Sequence, residues 1–171
     1  MRLFTTLTRT ALALLCLGIV LSAGNARFDR QKTLRELIVG TWVLDSAYDQ
    51  RQDGIKHEPW GWGVKGQAMF DGKGWMSFQV IAADRSKTAS NNPRNPVGQT
   101  NCYFGTYAVD DGAKTVTFHI ERCTFPQWDG ADSTFNVAFP TRNELKISPT
   151  KPIQDPSFGA FVPHLNFKRA M

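Results

Sequence analysis

Short apolar segments separated by turn signals fill the chain after residue 40, and this pattern constrains the fold more than any other feature. Clusters of glycine, aspartate, proline or asparagine at residues 71–74, 110–114 and 140–143 separate pairs of such segments. Clusters of this kind between β-prone runs are typical of hairpins. The pattern predicts eight strands, at residues 41–48, 67–70, 75–81, 101–109, 115–122, 133–139, 144–148 and 165–168.

One short helix precedes the strands. Thr33 and Glu36 have the spacing of a capping box, in which each side chain bonds the backbone N–H of the other residue. Gly40 is expected to end this helix. No long helical pattern follows, so a parallel βαβ fold is excluded and an antiparallel sandwich or barrel is predicted.

Two polar or proline-rich stretches interrupt the strand series. Residues 84–99 contain Asn-Asn-Pro-Arg-Asn-Pro, and residues 149–163 contain four prolines. Loops of this length are often either functional lids or disordered segments. Both alternatives stay open on the sequence alone.

The first 26 residues have the composition of an export signal. Arg2 and Arg9 precede an uncharged, largely apolar run at residues 11–21, and Gly24 and Ala26 supply small side chains after it. This order is typical of a cleaved signal peptide, with an uncleaved anchor as the alternative. Cleavage after Ala26 leaves 171 − 26 = 145 residues, which we expect to form one secreted or periplasmic domain over residues 27–171.

The charge of the mature chain is mild. Removing Arg2 and Arg9 leaves 18 basic and 15 acidic residues, a net charge of 18 − 15 = +3. The bases are scattered, whereas nucleic-acid binding usually needs a concentrated basic face. We therefore expect no nucleic-acid partner. We also expect no stable membrane insertion after cleavage, and we expect a monomer.

Two cysteines remain after cleavage, because Cys16 is removed with the signal. Pairing the two middle strands so that Val109 faces Val116 places Cys102 opposite Cys123. Such neighbours are close enough for a disulfide. The sequence predicts a structural bridge here, with a redox-active pair as the alternative.

Several segments resemble the lipocalin-like domain family of bacteria and fungi. They are the Gly-Thr-Trp at residues 40–42, the hairpin at residues 66–77, and the segments Tyr-Phe-Gly-Thr-Tyr-Ala-Val-Asp at 103–110, Thr-Val-Thr-Phe-His-Ile-Glu at 115–121 and Phe-Pro-Gln-Trp at 125–128. The resemblance implies an eight-stranded up-and-down barrel with a ligand cavity at one end. It also implies that Trp42 packs at the closed end under Arg169 or Lys168.

The chain departs from the family pattern at two positions. Phe118 stands where the group often has a histidine, and Phe135 stands where an arginine is expected. Both changes replace a polar group by an aromatic one, which predicts a more apolar interior.

The two middle strands predict which side chains face inward. The face with Tyr103, Tyr107 and Phe118 is the more apolar and should form the interior. His119 and Glu121 then lie outside; they are weak candidates for a catalytic pair, and a surface histidine is the alternative.

Aromatic side chains supply the candidates for ligand contact. Trp60 and Trp62 lie between glycines, and they form either a platform at the barrel mouth or simple packing over its end. The tyrosine hydroxyls could orient a ligand. The full predicted set is Trp60, Trp62, Met69, Trp75, Phe78, Tyr103, Tyr107, Phe118 and Phe135.

Familiar catalytic patterns are missing from the sequence. His57, His119 and His164 have no metal-ligand spacing, and no nucleophile elbow or phosphate-binding glycine loop is present. We expect no metal and no cofactor. Three functions stay open: binding of an apolar or amphipathic small molecule, isomerase- or cyclase-type catalysis on a natural product in the same cavity, and an interaction module with a filled barrel.

Overall fold

A computed structural model describes residues 32–85 and 99–171. The predicted signal peptide and most of the predicted loop at residues 84–99 lie outside the described residues. The elements are one helix, α1 (Leu34–Ile38), one 3-10 helix (Pro126–Trp128), and the strands β1 (Gly40–Arg51), β2 (Lys56–His57), β3 (Lys65–Phe70), β4 (Trp75–Ile81), β5 (Thr100–Asp110), β6 (Thr115–Cys123), β7 (Asp132–Ala138), β8 (Glu144–Pro149), β9 (Ile153–Asp155) and β10 (Gly159–Arg169).

Eight of these strands close into an antiparallel barrel. Each of β3 to β8 pairs with the barrel strands before and after it in the chain, β8 pairs with β10, and β1 pairs with both β3 and β10. Closure leaves no free edge around the barrel. The two short strands β2 and β9 extend β1 and β10 at one end. The predicted up-and-down β-barrel with a short N-terminal helix is confirmed.

The capping box at the start of α1 is also confirmed. The Glu36 N–H donates to the Thr33 hydroxyl at 3.2 Å, and the Thr33 N–H donates to the Glu36 carboxylate at 2.9 Å. The helix ends at Ile38 with Val39 as its C-cap, so that Gly40 follows directly, with a positive φ of +132° that favours glycine. Gly40 is also the first residue of β1.

The proline-rich stretch at residues 149–163 is not the plain loop that the sequence predicted. It contains β9 and the first half of β10, and Pro163 pairs with Asp49 inside the barrel wall. The φ angle of proline is compatible with an extended strand. Proline therefore interrupts strand pairing only where the partner strand needs a hydrogen bond from the N–H that proline lacks.

The β5–β6 hairpin follows the predicted register over most of its length and then shifts by one residue. Val109 faces Val116 and Gly105 faces Ile120, as predicted. A bulge follows, so that Tyr103 rather than Cys102 lies opposite Cys123. The prediction that the two cysteines face each other was wrong.

Both thiols are free in the structure. Cys123 shares the inner face with the buried Tyr103 opposite it and packs against the core. Because neighbouring strand residues point to opposite faces, Cys102 is directed outward. Burial raises the pKa of the Cys102 thiol. The structure therefore contains two free thiols where the sequence predicted a disulfide.

The core fills the barrel from the α1 end towards its middle. Its largest fully buried side chains are Trp42, Phe118, Phe167, Ile38, Ile120 and Leu145. The inner face predicted for β5 and β6 is confirmed by Tyr103, Val116 and Phe118, which are all buried. Within residues 32–85 and 99–171, no helix is long and apolar enough to cross a membrane.

Candidate functional site

A cavity of about 460 Å³ occupies the barrel end opposite α1. At this end β1, β4, β6 and β8 finish, and β5 and β10 begin. The segment after β2, the 3-10 helix and the segment between β8 and β10 contribute to its rim. Six aromatic side chains line it: Trp60, Phe78, Tyr103, Trp128, Phe135 and Phe161.

Cross-strand pairing holds the centre of this aromatic wall. Phe78 on β4 lies opposite Tyr103 on β5, and their rings stack with centroids 4.8 Å apart and an interplanar angle of 12°. Trp128 meets Tyr103 edge-on at 6.2 Å. Such offset and edge-to-face contacts stabilise aromatic pairs beyond their buried area. The rings are therefore held in fixed positions along one side of the cavity.

The Tyr103 hydroxyl is the polar group associated with this wall. The ring is buried, and burial raises the pKa of Tyr103 well above its usual value, so the hydroxyl stays protonated. No group among the described residues hydrogen-bonds to it. A hydroxyl at the wall of a mostly apolar cavity can donate to, or accept from, a bound molecule.

Few other polar side chains reach the cavity, and one of them is charged and half-buried. Asp49 lies on the inner face of β1, and burial raises the pKa of its carboxyl. Lys151 lies at the exposed rim, and Ser133 lies on β7. Asn101 is occupied, because its side-chain oxygen accepts a hydrogen bond from the Cys123 thiol at 3.4 Å.

Four of the nine predicted contact residues line this cavity. They are Trp60, Phe78, Tyr103 and Phe135. Phe118 lies one layer deeper, with its ring 5.0 Å from Phe135. Tyr107 lies nearer the α1 end, where its hydroxyl donates to the Asp71 carbonyl at 2.6 Å. The structure thus places these six predicted residues either in the cavity wall or in the packed interior.

Three predicted contact residues lie outside the cavity, which corrects the sequence-based assignment. Trp62 is 91% exposed, and Met69 and Trp75 lie on the outer face of the barrel. The reason is strand alternation: Phe70 and Met76, their immediate neighbours, are buried, so Met69 and Trp75 must face outward.

The structure also adds residues that the sequence pattern did not select. Asp49 faces inward because Ala47, two residues earlier on the same strand, is buried. Phe161 reaches the cavity because β10 extends far beyond its predicted start. The Phe-Pro-Gln-Trp segment contained Trp128 as a signal, but no periodicity placed it beside Tyr103.

The weak catalytic candidates lie outside the cavity. His119 is on the outer face of β6, where its Nδ1 atom is 2.8 Å from an Asp132 carboxylate oxygen. Glu121 adjoins it on an open surface groove rather than in the barrel. In the described part of the chain, no group of three histidine, cysteine or acidic side chains is arranged to hold a metal ion.

The opposite end of the barrel is closed around Trp42. This ring is fully buried, and its indole N–H donates to the Ile38 carbonyl at 2.7 Å. The guanidinium of Arg169 lies 4.1 Å from the ring centroid and donates to the carbonyls of Leu37, Val39 and Arg142. Lys168, the alternative partner, instead contacts Asp45 at 2.7 Å.

Comparison with known protein families agrees with this architecture. Residues 39–169 match the lipocalin-like domain. The chain belongs to this family. No curated protein matches the sequence. Among solved structures, the lipocalin-like chain is similar to a redesigned β-barrel (14% identity, TM-score 0.41) and to a de novo fluorescence-activating β-barrel (11% identity, TM-score 0.40); each match covers 82% of this chain and 100% of the other.

The two departures from the lipocalin-like pattern meet in space. Phe118 and Phe135 project inward from neighbouring strands, with ring centroids 5.0 Å apart. Phe118 is fully buried, and Phe135 forms part of the cavity wall. Two expected polar positions are therefore replaced by one aromatic contact, which makes the floor of this cavity apolar.

Proposed function

We propose that this lipocalin-like protein binds one apolar or amphipathic small molecule inside the barrel. The observation that carries the proposal is the cavity of about 460 Å³ with six aromatic wall residues. Drug-sized ligand sites begin at about 300 Å³ and are mostly apolar with a few polar groups. A filled barrel acting as an interaction module would lack such a space, and an enzyme acting through His119 and Glu121 would need them inside it.

Aromatic walls suit a ligand with a flat or ring-containing apolar body. Excluding water from apolar surface contributes about 25 cal/mol per Å², part of which is offset by immobilising the ligand. The Tyr103 hydroxyl then supplies one oriented hydrogen bond. We expect dissociation constants of small aromatic probes on the order of micromolar.

A fluorescent titration with N-phenyl-1-naphthylamine, a neutral apolar probe, tests the proposal. Ser133 and Asn136 provide a matched pair of substitutions on β7. Ser133 is on the inner face and lines the cavity, whereas Asn136 is exposed and does not line it. Ser133→Phe should reduce probe affinity at least about tenfold by filling the cavity, and Asn136→Phe should leave it unchanged.

The proposal fails if the delipidated protein takes up no probe, or if both variants weaken binding equally. The first result would indicate a barrel that does not admit ligands. The second would place the probe on the outer surface. Circular dichroism of both variants checks that the barrel is intact.

We infer that the protein works outside the cytoplasm as a monomer. The inference is supported by the basic start at Arg2 and Arg9, the apolar run at residues 11–21 and the small residues that precede Arg27. Native mass spectrometry of protein purified from its own envelope tests it. A mature chain beginning at Arg27, monomeric and carrying a co-purifying small molecule, is the expected result; a full-length chain would contradict export with cleavage.

A further inference from the structure

The cavity wall contains one carboxylate that the fold leaves without a partner. Asp49 lies on the inner face of β1, opposite Pro163 on β10 and His57 on β2. Pro163 has no N–H to donate. Among the residues that the structure describes, no side chain or backbone group hydrogen-bonds to the Asp49 carboxylate or forms a salt bridge with it.

Leaving this group unpaired is unfavourable for the empty protein. Asp49 is half-buried, and burial raises the pKa of its carboxyl, with only a partial opposing effect from His57. A carboxylate that is partly removed from water without a compensating partner destabilises the fold. Groups in clefts with such environments are candidates for functional sites.

The surroundings of Asp49 favour a cationic partner. The rings of Trp60 and Phe161 line the same cavity, together with four further aromatic side chains. Aromatic faces carry negative potential and attract organic cations. A carboxylate beside several such faces is the arrangement expected for recognition of an ammonium group on an apolar molecule.

The opposite charge preference is less well supported. Among the described residues, Lys151 is the one ammonium group that lines the cavity, and it is exposed at the rim. An exposed ion pair contributes little, because water and salt screen it. A carboxylate ligand would also have to share a cavity of about 460 Å³ with the Asp49 carboxylate.

We propose that the cavity selects ligands that carry a protonated amine on an apolar or aromatic body, with Asp49 as the counter-ion. This proposal rests on the binding function above and specifies its ligand class. The ammonium group contacts the Asp49 carboxylate, and the apolar body lies against the aromatic wall towards Phe135. Binding neutralises the carboxylate that the empty barrel leaves unpaired.

Three probes with one apolar body separate charge from shape. They are 2-(1-naphthyl)ethylamine, 1-ethylnaphthalene and 1-naphthylacetic acid, each measured by competition against N-phenyl-1-naphthylamine at pH 7. We expect the amine to bind about tenfold more tightly than the neutral probe and the acid to bind more weakly than both.

Asp49→Asn tests the assigned counter-ion, and Glu58→Gln is its control. Glu58 carries the same charge near the same end of the barrel, but it is exposed and does not line the cavity. Asp49→Asn should abolish the preference for the amine, so that the amine binds no better than 1-ethylnaphthalene. Glu58→Gln should retain the preference.

The outcomes distinguish this proposal from the function on which it rests. If none of the three probes binds, the binding function itself fails. If 1-ethylnaphthalene binds and the amine binds no better, the barrel binds apolar molecules but the amine preference is wrong. If the acid binds best and Lys151→Gln removes that preference, Lys151 rather than Asp49 selects the ligand and the proposal is overturned.

Discussion

The two ends of this barrel are built from the same strands and use their polar groups in opposite ways. At the α1 end, the Trp42 indole N–H and the Arg169 guanidinium bond backbone carbonyls, and the space inside is filled. At the cavity end, the Asp49 carboxylate and the Tyr103 hydroxyl have no bond to any described residue, and a cavity of about 460 Å³ stays open.

The connections between strands also differ between the α1 end and the cavity end. The turns after β3, β5 and β7 are short and lie at the α1 end, whereas β1, β4, β6 and β8 finish at the cavity end and are followed in the chain by longer segments. Short hairpins hold strand register tightly. The α1 end therefore stabilises the fold, whereas the side chains that line the cavity end can change without loss of the barrel. We expect substitutions at the α1 end to lower the free energy of unfolding and substitutions at the cavity end to lower ligand affinity.

Truncating Trp42 and Trp60, one at each end of the barrel, should give the largest contrast. Trp42→Ala removes a fully buried ring and should lower the free energy of unfolding by about 3–5 kcal/mol. Trp60→Ala, at the cavity wall, should cost about 1 kcal/mol but weaken binding of N-phenyl-1-naphthylamine. Urea unfolding and probe titration of both variants measure this; equal loss of stability would remove the distinction between the ends.

Arg169→Ala should have the next largest effect on stability. It removes three charge-assisted hydrogen bonds and the contact with Trp42, at a cost of about 2–3 kcal/mol. Lys168→Ala is the matched control, because its contact with Asp45 is exposed and should contribute nothing measurable to the urea midpoint. A comparable loss in both variants would contradict the role assigned to Arg169.

Asp49→Asn should slightly raise the free energy of unfolding, whereas the substitutions of Trp42 and Arg169 lower it. Because burial raises the folded-state pKa of this carboxyl above its ordinary value, the charged form destabilises the fold as pH rises through that pKa. His57 on β2 opposes this rise in pKa, and Lys151 lies at the rim of the same cavity. At pH 7 the variant should be more stable than the parent by less than about 1 kcal/mol.

Comparing the stability of Asp49→Asn with that of the parent at low pH tests whether the charge of the Asp49 carboxylate causes the difference. Below the ordinary aspartate pKa the carboxyl is protonated in both states, so the gap between variant and parent should disappear. Thermal unfolding at pH 7 and at pH 3 measures both values. A variant less stable than the parent at pH 7 would show that the Asp49 carboxylate is paired after all.

Treatment with a reducing agent should have no effect on the stability of the protein. Cys102 and Cys123 are free thiols and do not lie opposite each other in the hairpin. A reducing agent should leave the unfolding midpoint unchanged, and both thiols should react with an alkylating agent after unfolding. A bridge would instead contribute on the order of 3 kcal/mol, which reduction would remove.

The sequence predicted the features that depend on local pattern. Eight strands, the capping box at Thr33 and the inward face with Tyr103 and Phe118 all follow from alternation and turn residues. The bulge beside Gly105 could not be predicted, because one inserted residue leaves the hydrophobic pattern on either side intact. That single residue is the reason why Cys102 does not lie opposite Cys123.

The cavity depends on pairing between distant parts of the chain. Asp49 reaches it through the long β1–β10 ladder, and Phe161 through a strand that contains Pro163, a residue that disfavours strand prediction. Met69 was misassigned because it and Phe70 are both apolar, and strand parity allows only one of them inside. Local sequence therefore specified the barrel wall better than the site that the wall encloses.

Amide chemical shifts during titration with N-phenyl-1-naphthylamine test the central claim most directly. We expect saturable shifts at Tyr103, Phe135 and Leu165 around the cavity, with Trp42 and Arg169 unaffected. Shifts confined to the outer-face residues Met69, Trp75 and Phe104, or no saturable shift anywhere, would contradict a ligand site inside the open end of the barrel.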